Sequence, residues 1–167
     1  MKTAVITGAS SGIGLAAAEE LARRGYDIVG VGRDEARCAA AAKRIRAAAP
    51  DAKIAFLCGD LMQQREVLRI ADGIKRLLAQ SGAGALDALI SNAGCVRSWY
   101  ATTEEGYEQQ FALNHLAGFL LTLQLLPELK RAGGQVLITC SESHQHARVR
   151  WNDVMLARGY HPLTAYK

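Results

Sequence analysis

Short apolar runs alternate with amphipathic stretches along most of this chain. A strand that is covered on both faces is apolar throughout, so each short run predicts a buried strand of a parallel sheet. The predicted strands span residues 3–7, 26–32, 53–59, 86–91 and 135–140. Between them, apolar residues recur every three or four positions, which predicts helices with one buried face.

Particular residues mark where the predicted helices begin and end. Gly25 can adopt the left-handed conformation that ends a first helix over residues 12–24. Asp34 is a suitable N-cap for an alanine-rich second helix that ends before Pro50. The buried faces of the second and third helices are predicted at Cys38, Ala42, Ile45 and Ala49, and at Val67, Ala71, Ile74 and Leu78.

The order of these elements predicts the fold class. A turn is predicted at residues 81–84, and a long fourth helix over residues 103–131, which Pro127 bends or ends. Repeated strand–helix–strand units of this length favour right-handed crossovers and a parallel sheet with helices on both faces. We therefore expect an α/β fold, a doubly wound Rossmann-type sheet, with residues 1–167 forming a single domain.

The composition fits such a domain and excludes several kinds of partner. The chain has 167 residues, half of them hydrophobic, which is enough for one core. The net charge of +4 comes from dispersed basic residues, so no nucleic-acid partner is expected. No apolar run is long enough to span a membrane, and the first strand follows Met1 and Lys2 with no room for a signal peptide.

Cysteine and histidine spacing excludes disulfide and metal frameworks. The cysteines are Cys38, Cys58, Cys95 and Cys140. Their wide spacing predicts reduced, mostly buried thiols and a cytoplasmic location. His144 and His146 form an H-x-H pair without further ligands at usable spacing, so no metal site is expected.

A glycine-rich loop between the first strand and the first helix predicts a phosphate site. It reads Thr7-Gly8-Ala9-Ser10-Ser11-Gly12-Ile13-Gly14. Backbone N–H groups at a helix start, with the helix dipole, attract an anion. Gly8 allows the tight turn, Gly12 lets the backbone approach a pyrophosphate, and Gly14 lets the helix pack against the strand.

Arg33, at the end of the second predicted strand, bears on the choice of dinucleotide. An acidic residue there would bind the ribose 2′-hydroxyl of NAD, whereas an arginine accommodates the 2′-phosphate of NADP. The chain has Gly32-Arg33 at this place, which favours NADP over NAD.

These motifs together resemble the short-chain dehydrogenase/reductase family. The glycine loop matches that family's cofactor loop, Asp60-Leu61 its adenine contact, and Asn92-Ala93-Gly94 its Asn-Ala-Gly motif, although Ser91 stands where asparagine is usual. The stretches 103–122 and 160–166 are similar to the retinol-dehydrogenase-like and protochlorophyllide-reductase-like group. The predicted cofactor-binding residues are thus Gly8, Ser10, Ser11, Gly12, Ile13, Gly14, Arg33, Asp60, Leu61, Asn92, Ala93 and Gly94.

The resemblance also implies a catalytic set. Asn114 matches the asparagine that helps hold a water, Ser141 the serine that hydrogen-bonds the substrate carbonyl, and Tyr166 the general acid. Ser143 is a rival for the serine role. The family adds a lysine four residues after the tyrosine, because a phenol of pKa about 10 needs a nearby cation to act at neutral pH. This sequence stops at Lys167.

Two functions follow as expectations. The first is an NADP-dependent oxidoreductase that transfers a hydride between nicotinamide and a small apolar carbonyl or alcohol. These residues would then be the front part of a longer enzyme, of a family whose members commonly form homodimers. Apolar residues in the segment 142–165 favour such a substrate, although they could equally pack that segment onto the body. The alternative is a truncated, non-catalytic dinucleotide-binding or oligomerisation module. Without the further helix and strands that the family adds after this point, the fifth strand is predicted to be an exposed sheet edge.

Overall fold

The computed structural model describes residues 2–80, 82 and 84–167. Ser81 and Ala83 of the predicted turn lie outside the described residues. The five strands are β1 (Lys2–Thr7), β2 (Tyr26–Gly32), β3 (Ile54–Cys58), β4 (Ala88–Ser91) and β5 (Gln135–Ile138). They form one parallel sheet in the order β3-β2-β1-β4-β5, which confirms the Rossmann-type prediction.

Helices connect the strands. They are α1 (Gly12–Arg23), α2 (Glu35–Ala48), α3 (Gln64–Gln80), α4 (Gln109–Phe111), α5 (Ala117–Gln124), α6 (Leu126–Ala132) and α7 (Pro162–Tyr166). A π-helical turn, Ala112–Leu116, joins α4 to α5, and a 3-10 turn, Glu142–His144, follows β5. None of the helices within the described ranges combines the length and the apolar character needed to cross a membrane.

The core has one layer on each face of the sheet. Ala4 and Ile6 of β1 pack with the buried residues of α1 and α2, whereas Val5 packs with those of α3 and α5. Alternate residues of a strand point to opposite faces, so β1 contributes to both layers. The buried faces predicted for α2 and α3 are confirmed at all eight positions.

The predicted ends of α1 and α2 are confirmed in detail. Gly25 has φ +84° and donates its N–H to the carbonyl of Ala22 at 3.0 Å, which closes α1. Asp34 Oδ1 accepts the N–H of Arg37 at 2.8 Å, which caps α2. Each signal is local, because the capping residue lies within one turn of the helix that it caps.

The prediction of one long helix over residues 103–131 is wrong at its start and in its continuity. Residue Thr103 donates its N–H to Tyr107 O at 2.7 Å, and Gly106 has φ +85°, so the chain makes a turn there. Helical structure begins only at Gln109, after Glu108 accepts the Phe111 N–H at 2.7 Å. The helix is interrupted again at Leu125, and α6 begins at Leu126. Pro127 lies in the first turn of α6, so the predicted interruption near Pro127 is confirmed.

The far end of the sheet is the exposed edge that the sequence predicted. Val136, Leu137 and Ile138 of β5 are 39%, 48% and 64% exposed. By contrast, Val5 and Val31 in the central strands are fully buried. All four residues of β5 are exposed, so neither face of this strand is buried as those of the central strands are.

The burial predicted for the cysteines is wrong for three of the four. Only Cys38 is buried, whereas Cys58 and Cys95 are half-buried and Cys140 is exposed. The difference follows from position, because Cys38 points inward from α2 while Cys140 follows the exposed strand β5. All four are free thiols.

Candidate functional site

The candidate site lies where the strand order reverses, between β1 and β4. The chain leaves β1 to one side and β4 to the other, which opens a crevice at the carboxyl ends of these two strands. Residues 7–14 follow β1 and residues 92–95 follow β4, and we call these two segments the loop pair.

The loop pair is packed too closely for side chains at two of its glycines. Gly8 has φ +70°, and a Cβ there would lie 3.1 Å from Asn92 Nδ2. A Cβ at Gly14 would press on the carbonyl oxygen of Gly8 and lie 2.7 Å from Asn92 Nδ2. The structure therefore explains why glycine stands at both positions and brings Asn92 against the loop.

The hydroxyl of Thr7 joins the two segments. It accepts the N–H of Asn92 at 2.9 Å and that of Ala93 at 3.0 Å, and it is buried. The amide of Asn92 returns a hydrogen bond to Thr7 O at 3.3 Å. These hydrogen bonds within the chain hold the two loops of the crevice together.

The first turn of α1 is open to an anion. Ser11 precedes the helix but makes no side-chain cap, and no acidic residue lies in the first turn. Ser11, Gly12 and Ile13 are exposed, whereas Ser10 is half-buried. The amides of this turn and the helix dipole thus face solvent, which is the arrangement that binds phosphate.

The loops after β2 and β3 supply the residues predicted for an adenosine. Arg33 is exposed and forms no ion pair within the described ranges. Asp60 is half-buried and accepts the N–H of Met62 at 3.1 Å, whereas Leu61 is buried. These residues lie at the carboxyl end of the sheet, as the loop pair does, because all five strands run in parallel.

Two cysteines lie beneath this part of the site. Burial raises the pKa of the Cys38 thiol to about 12, and a hydrogen bond with Cys58 adds to the rise. A Cβ at Gly32 would lie 2.5 Å from Cys38 Sγ and 3.1 Å from Ser10 Oγ. The end of β2 is therefore tightly packed between α2 and the glycine loop.

Asn114 lies in the π-helical turn and is bonded to the loop pair. Its Oδ1 accepts the N–H of Cys95 at 2.8 Å, and its Nδ2 donates to the Cys95 carbonyl at 2.9 Å. A π-helical turn often marks a functional position, because the extra residue redirects a side chain. Both ends of the amide are engaged with backbone in this arrangement.

The other two predicted catalytic residues are Ser141 and Tyr166. Among the described residues, they form no hydrogen bond with Asn114 or with each other. Ser141 Oγ accepts the N–H of Ser143 at 3.2 Å and its hydroxyl at 2.8 Å. Tyr166 is half-buried at the end of α7. Within the described part of the chain, no hydrogen bond links the Tyr166 hydroxyl to Ser141 or Asn114.

A buried polar group that the sequence analysis missed holds the segment before α7. Tyr160 donates to Glu108 Oε1 at 3.1 Å and accepts from Gln110 Nε2 at 2.7 Å. Gln110 Nε2 also donates to Pro162 O at 3.2 Å. Glu108 and Gln110 are 2% and 0% exposed, and burial raises the pKa of Tyr160. No local pattern pairs residues some fifty positions apart, so the sequence carried no signal for this contact.

The described residues contain no group of three histidine, cysteine, aspartate or glutamate side chains placed to hold a metal ion. This covers His144 and His146, which lie in and just after the 3-10 turn.

The sequence of the chain matches known proteins throughout. The profile of the short chain dehydrogenase family matches residues 2–152. Human retinol dehydrogenase 13 is 36% identical over 167 residues, which cover 99% of this chain and 49% of that protein. The chain spans about half the length of the curated relatives that it matches.

Solved structures share the fold. A short-chain dehydrogenase from Sphingobium yanoikuyae in complex with NADPH has a TM-score of 0.76 and 28% identity, covering 99% of this chain and 59% of that one. L-Sorbose reductase from Gluconobacter frateurii, in complex with NADPH and L-sorbose, also has a TM-score of 0.76, with 27% identity over 98% of this chain and 57% of that one. Given these matches and the geometry of the loop pair, the chain belongs to the short chain dehydrogenase family, with relatives among the retinol dehydrogenases.

Proposed function

We propose that this chain binds NADP(H) in the crevice between β1 and β4. The observation that carries this proposal is the joining of the glycine loop to Asn92 and Ala93 through the buried Thr7 hydroxyl. It leaves an open helix start facing a preformed crevice, and Gly8 and Gly14 keep that crevice free of side chains. Two structural relatives were solved with NADPH.

The residues present fit such a cofactor. The amides of residues 10–14 would hold the pyrophosphate, and Arg33 would bind the 2′-phosphate, which is why we favour NADP over NAD. Asp60 and Leu61 would contact the adenine, and Asn92 to Gly94 would line the path towards the nicotinamide.

We further propose that the function is NADP-dependent hydride transfer with a small apolar carbonyl or alcohol. When bound, the cofactor supplies or accepts the hydride. Tyr166 would give a proton to the carbonyl oxygen or take one from the alcohol, and Ser141 would hydrogen-bond that oxygen. Asn114 would hold the Cys95 backbone, and with it the wall of the crevice, in place.

The segment between Ser141 and Tyr166 supports an apolar substrate. Val149, Trp151 and Val154 are 59%, 84% and 37% exposed. Exposed apolar side chains are suited to bind an apolar molecule.

A second candidate is a dinucleotide-binding or oligomerisation module without turnover. Within the described residues, the Tyr166 hydroxyl has no hydrogen bond or ion pair that would activate it. The exposed apolar side chains of β5 and of Phe119 on α5 would suit contact with a second copy of the chain.

Fluorescence titration with NADPH, followed by an assay of NADPH oxidation with an apolar aldehyde, tests both candidates. Saturable binding with turnover supports the reductase, and saturable binding without turnover supports the binding module. Absence of saturable binding at millimolar NADPH by a folded chain contradicts the reductase and the dinucleotide-binding module, and leaves oligomerisation as the remaining candidate. Light scattering of the same sample reports whether it is a dimer.

A further inference from the structure

Arg97 reaches across the crevice from the loop after β4. It lies three residues beyond Gly94, and its Nη2 contacts Met62 Sδ at 3.9 Å. Met62 follows β3, and in the sheet β3 is separated from β4 by β2 and β1. The Arg97 side chain therefore connects loops on either side of the glycine loop.

The guanidinium of Arg97 is half-buried without an anion to balance it. Its Nε is buried and has no hydrogen-bond partner. The hydrogen-bond partner of its Nη2 is the Met62 sulfur, which is a weak acceptor. None of the ion pairs in the described ranges includes Arg97. A buried guanidinium N–H without an acceptor is unfavourable, so the site is suited to an incoming anion.

A second unpaired cation lies on the same side of the crevice. Burial raises the pKa of the Cys95 thiol and is the largest cause of its shift. The positive charges of Arg97 and Arg33 favour the thiolate and so act to lower this pKa. Both guanidinium groups are thus close enough to Cys95 to act on the same thiolate. Arg33 is exposed at the end of β2, where the sequence predicts a phosphate contact.

The nearby carboxylate of Glu108 is engaged elsewhere. It accepts the Phe111 N–H at 2.7 Å and the Tyr160 hydroxyl at 3.1 Å, and its residue is 2% exposed. No ion pair joins it to Arg97 within the described residues. The described residues therefore supply no carboxylate to Arg97, and its guanidinium is available to a bound anion.

We propose that Arg97 binds a phosphate group of the dinucleotide, as a second guanidinium beside Arg33. This inference rests on the proposed function, since it assigns a further residue to the same site. A guanidinium offers a planar pair of N–H donors that match two phosphate oxygens, and such charge-assisted bonds are among the strongest in proteins. The phosphate could be the 2′-phosphate of NADP or the pyrophosphate that NADP and NAD share.

Titrations of NADPH and NADH distinguish these two sources. Arg97→Met keeps the apolar stem and removes the charge, whereas Arg97→Lys keeps the charge without the planar guanidinium. Arg76→Met is the control, because Arg76 lies on the exposed face of α3. We expect Arg97→Met to weaken NADPH binding about tenfold or more and Arg97→Lys to weaken it less, since each good charge-assisted bond contributes on this scale. Arg76→Met should change it less than about twofold, because an exposed charge away from the crevice is screened by salt.

The pattern of losses locates the phosphate. A loss for NADPH alone assigns Arg97 to the 2′-phosphate, and an equal loss for NADPH and NADH assigns it to the pyrophosphate. Unchanged binding of both by Arg97→Met overturns the inference while leaving the proposed function intact. If the wild-type chain binds neither dinucleotide, the proposed function fails and this inference fails with it.

Modification of Cys95 in the wild-type chain gives an independent readout if Arg97→Met does not fold. A phosphate bound to Arg97 reduces the attraction that favours the Cys95 thiolate, and it also covers the thiol. We therefore expect saturating NADP to slow the reaction of Cys95 with iodoacetamide at pH 8.5, as followed by peptide mass spectrometry. An unchanged rate at Cys95 overturns the inference.

Discussion

The loop pair and the C-terminal segment, residues 139–167, differ in how they are held. In the loop pair, backbone amides of Asn92 and Ala93 bond to a buried hydroxyl, and glycines allow direct contact. The C-terminal segment contains only a 3-10 turn and the five-residue helix α7, and Trp151 within it is 84% exposed. The proposed phosphate end of the site is therefore held by close contacts within the loop pair, whereas the proposed proton-transfer end is held by few contacts.

The largest expected contrast is in thiol reactivity. Cys38 lies beneath the loop pair with a pKa raised to about 12, mainly by burial, whereas Cys140 at the start of the C-terminal segment is exposed. Only the thiolate reacts, and a rise of the Cys38 pKa from its ordinary value of 9.0 to about 12 lowers the Cys38 thiolate fraction at pH 8 about a thousandfold. Alkylation followed by peptide mass spectrometry should show Cys140 modified first. Equal rates at both positions would show that the region around Cys38 opens readily.

The next largest effect is expected from Gly14→Ala. The new Cβ would press on the Gly8 carbonyl oxygen, so α1 must move away from the glycine loop. Overpacking of this kind costs about 1–3 kcal/mol of stability, and we expect about a hundredfold loss of NADPH affinity because the phosphate amides shift. Fluorescence titration and thermal unfolding measure the two quantities.

Gly133→Ala is the matched control for Gly14→Ala. Gly133 has φ +60°, and nothing lies within 4 Å of a Cβ placed there, so the substitution brings left-handed strain of about 1–2 kcal/mol without a clash. It should lower the melting temperature and leave NADPH affinity unchanged. Equal affinities for the two variants would contradict the close packing of the loop pair.

A smaller effect is expected from Thr7→Val, which removes the hydroxyl that joins the two segments. The N–H groups of Asn92 and Ala93 then lose their acceptor, at about 1–3 kcal/mol for a buried unsatisfied group. We expect roughly tenfold weaker NADPH binding together with lower stability in urea unfolding. Thr7→Ser retains the hydroxyl and should stay close to the wild type. If Thr7→Ser is as weak as Thr7→Val, the hydroxyl is not what joins the segments.

The smallest effect is expected in the C-terminal segment itself. Ser141→Ala removes hydrogen bonds to Ser143 only, so stability should change by less than about 0.5 kcal/mol, as for most surface substitutions. NADPH affinity should be unchanged, and any carbonyl reduction by the wild-type chain should be lost. A large loss of NADPH affinity in this variant would mean that the two regions are coupled.

The parts of the fold that the sequence predicts are those with short-range causes. Asp34 caps α2 through a residue three positions away, and the buried face of α3 follows from its spacing. The start at residue 103 was wrong because the stretch of threonine and glutamate there resembles a helix start, while Gly106 adopts a left-handed turn and the buried Glu108 forms the actual cap.

In the candidate site, too, the sequence predicts short-range features and misses long-range contacts. The glycine loop is recognisable from its own spacing, whereas the contact of Arg97 with Met62 joins residues 35 positions apart and leaves no periodic signal. Tyr160 and Gln110 likewise meet only through the fold. Ser141 and Tyr166 were assigned by resemblance, and that assignment stays a prediction.

The central claim is that the loop pair, within these residues, forms a working NADP(H) site. The most direct test is calorimetric titration of the 167-residue chain with NADPH, with Gly14→Ala in parallel. We expect a single saturable site in the wild type and a loss of about a hundredfold in the affinity of the variant for NADPH. A folded wild type that shows no saturable heat, or a variant that binds as tightly as the wild type, would contradict it.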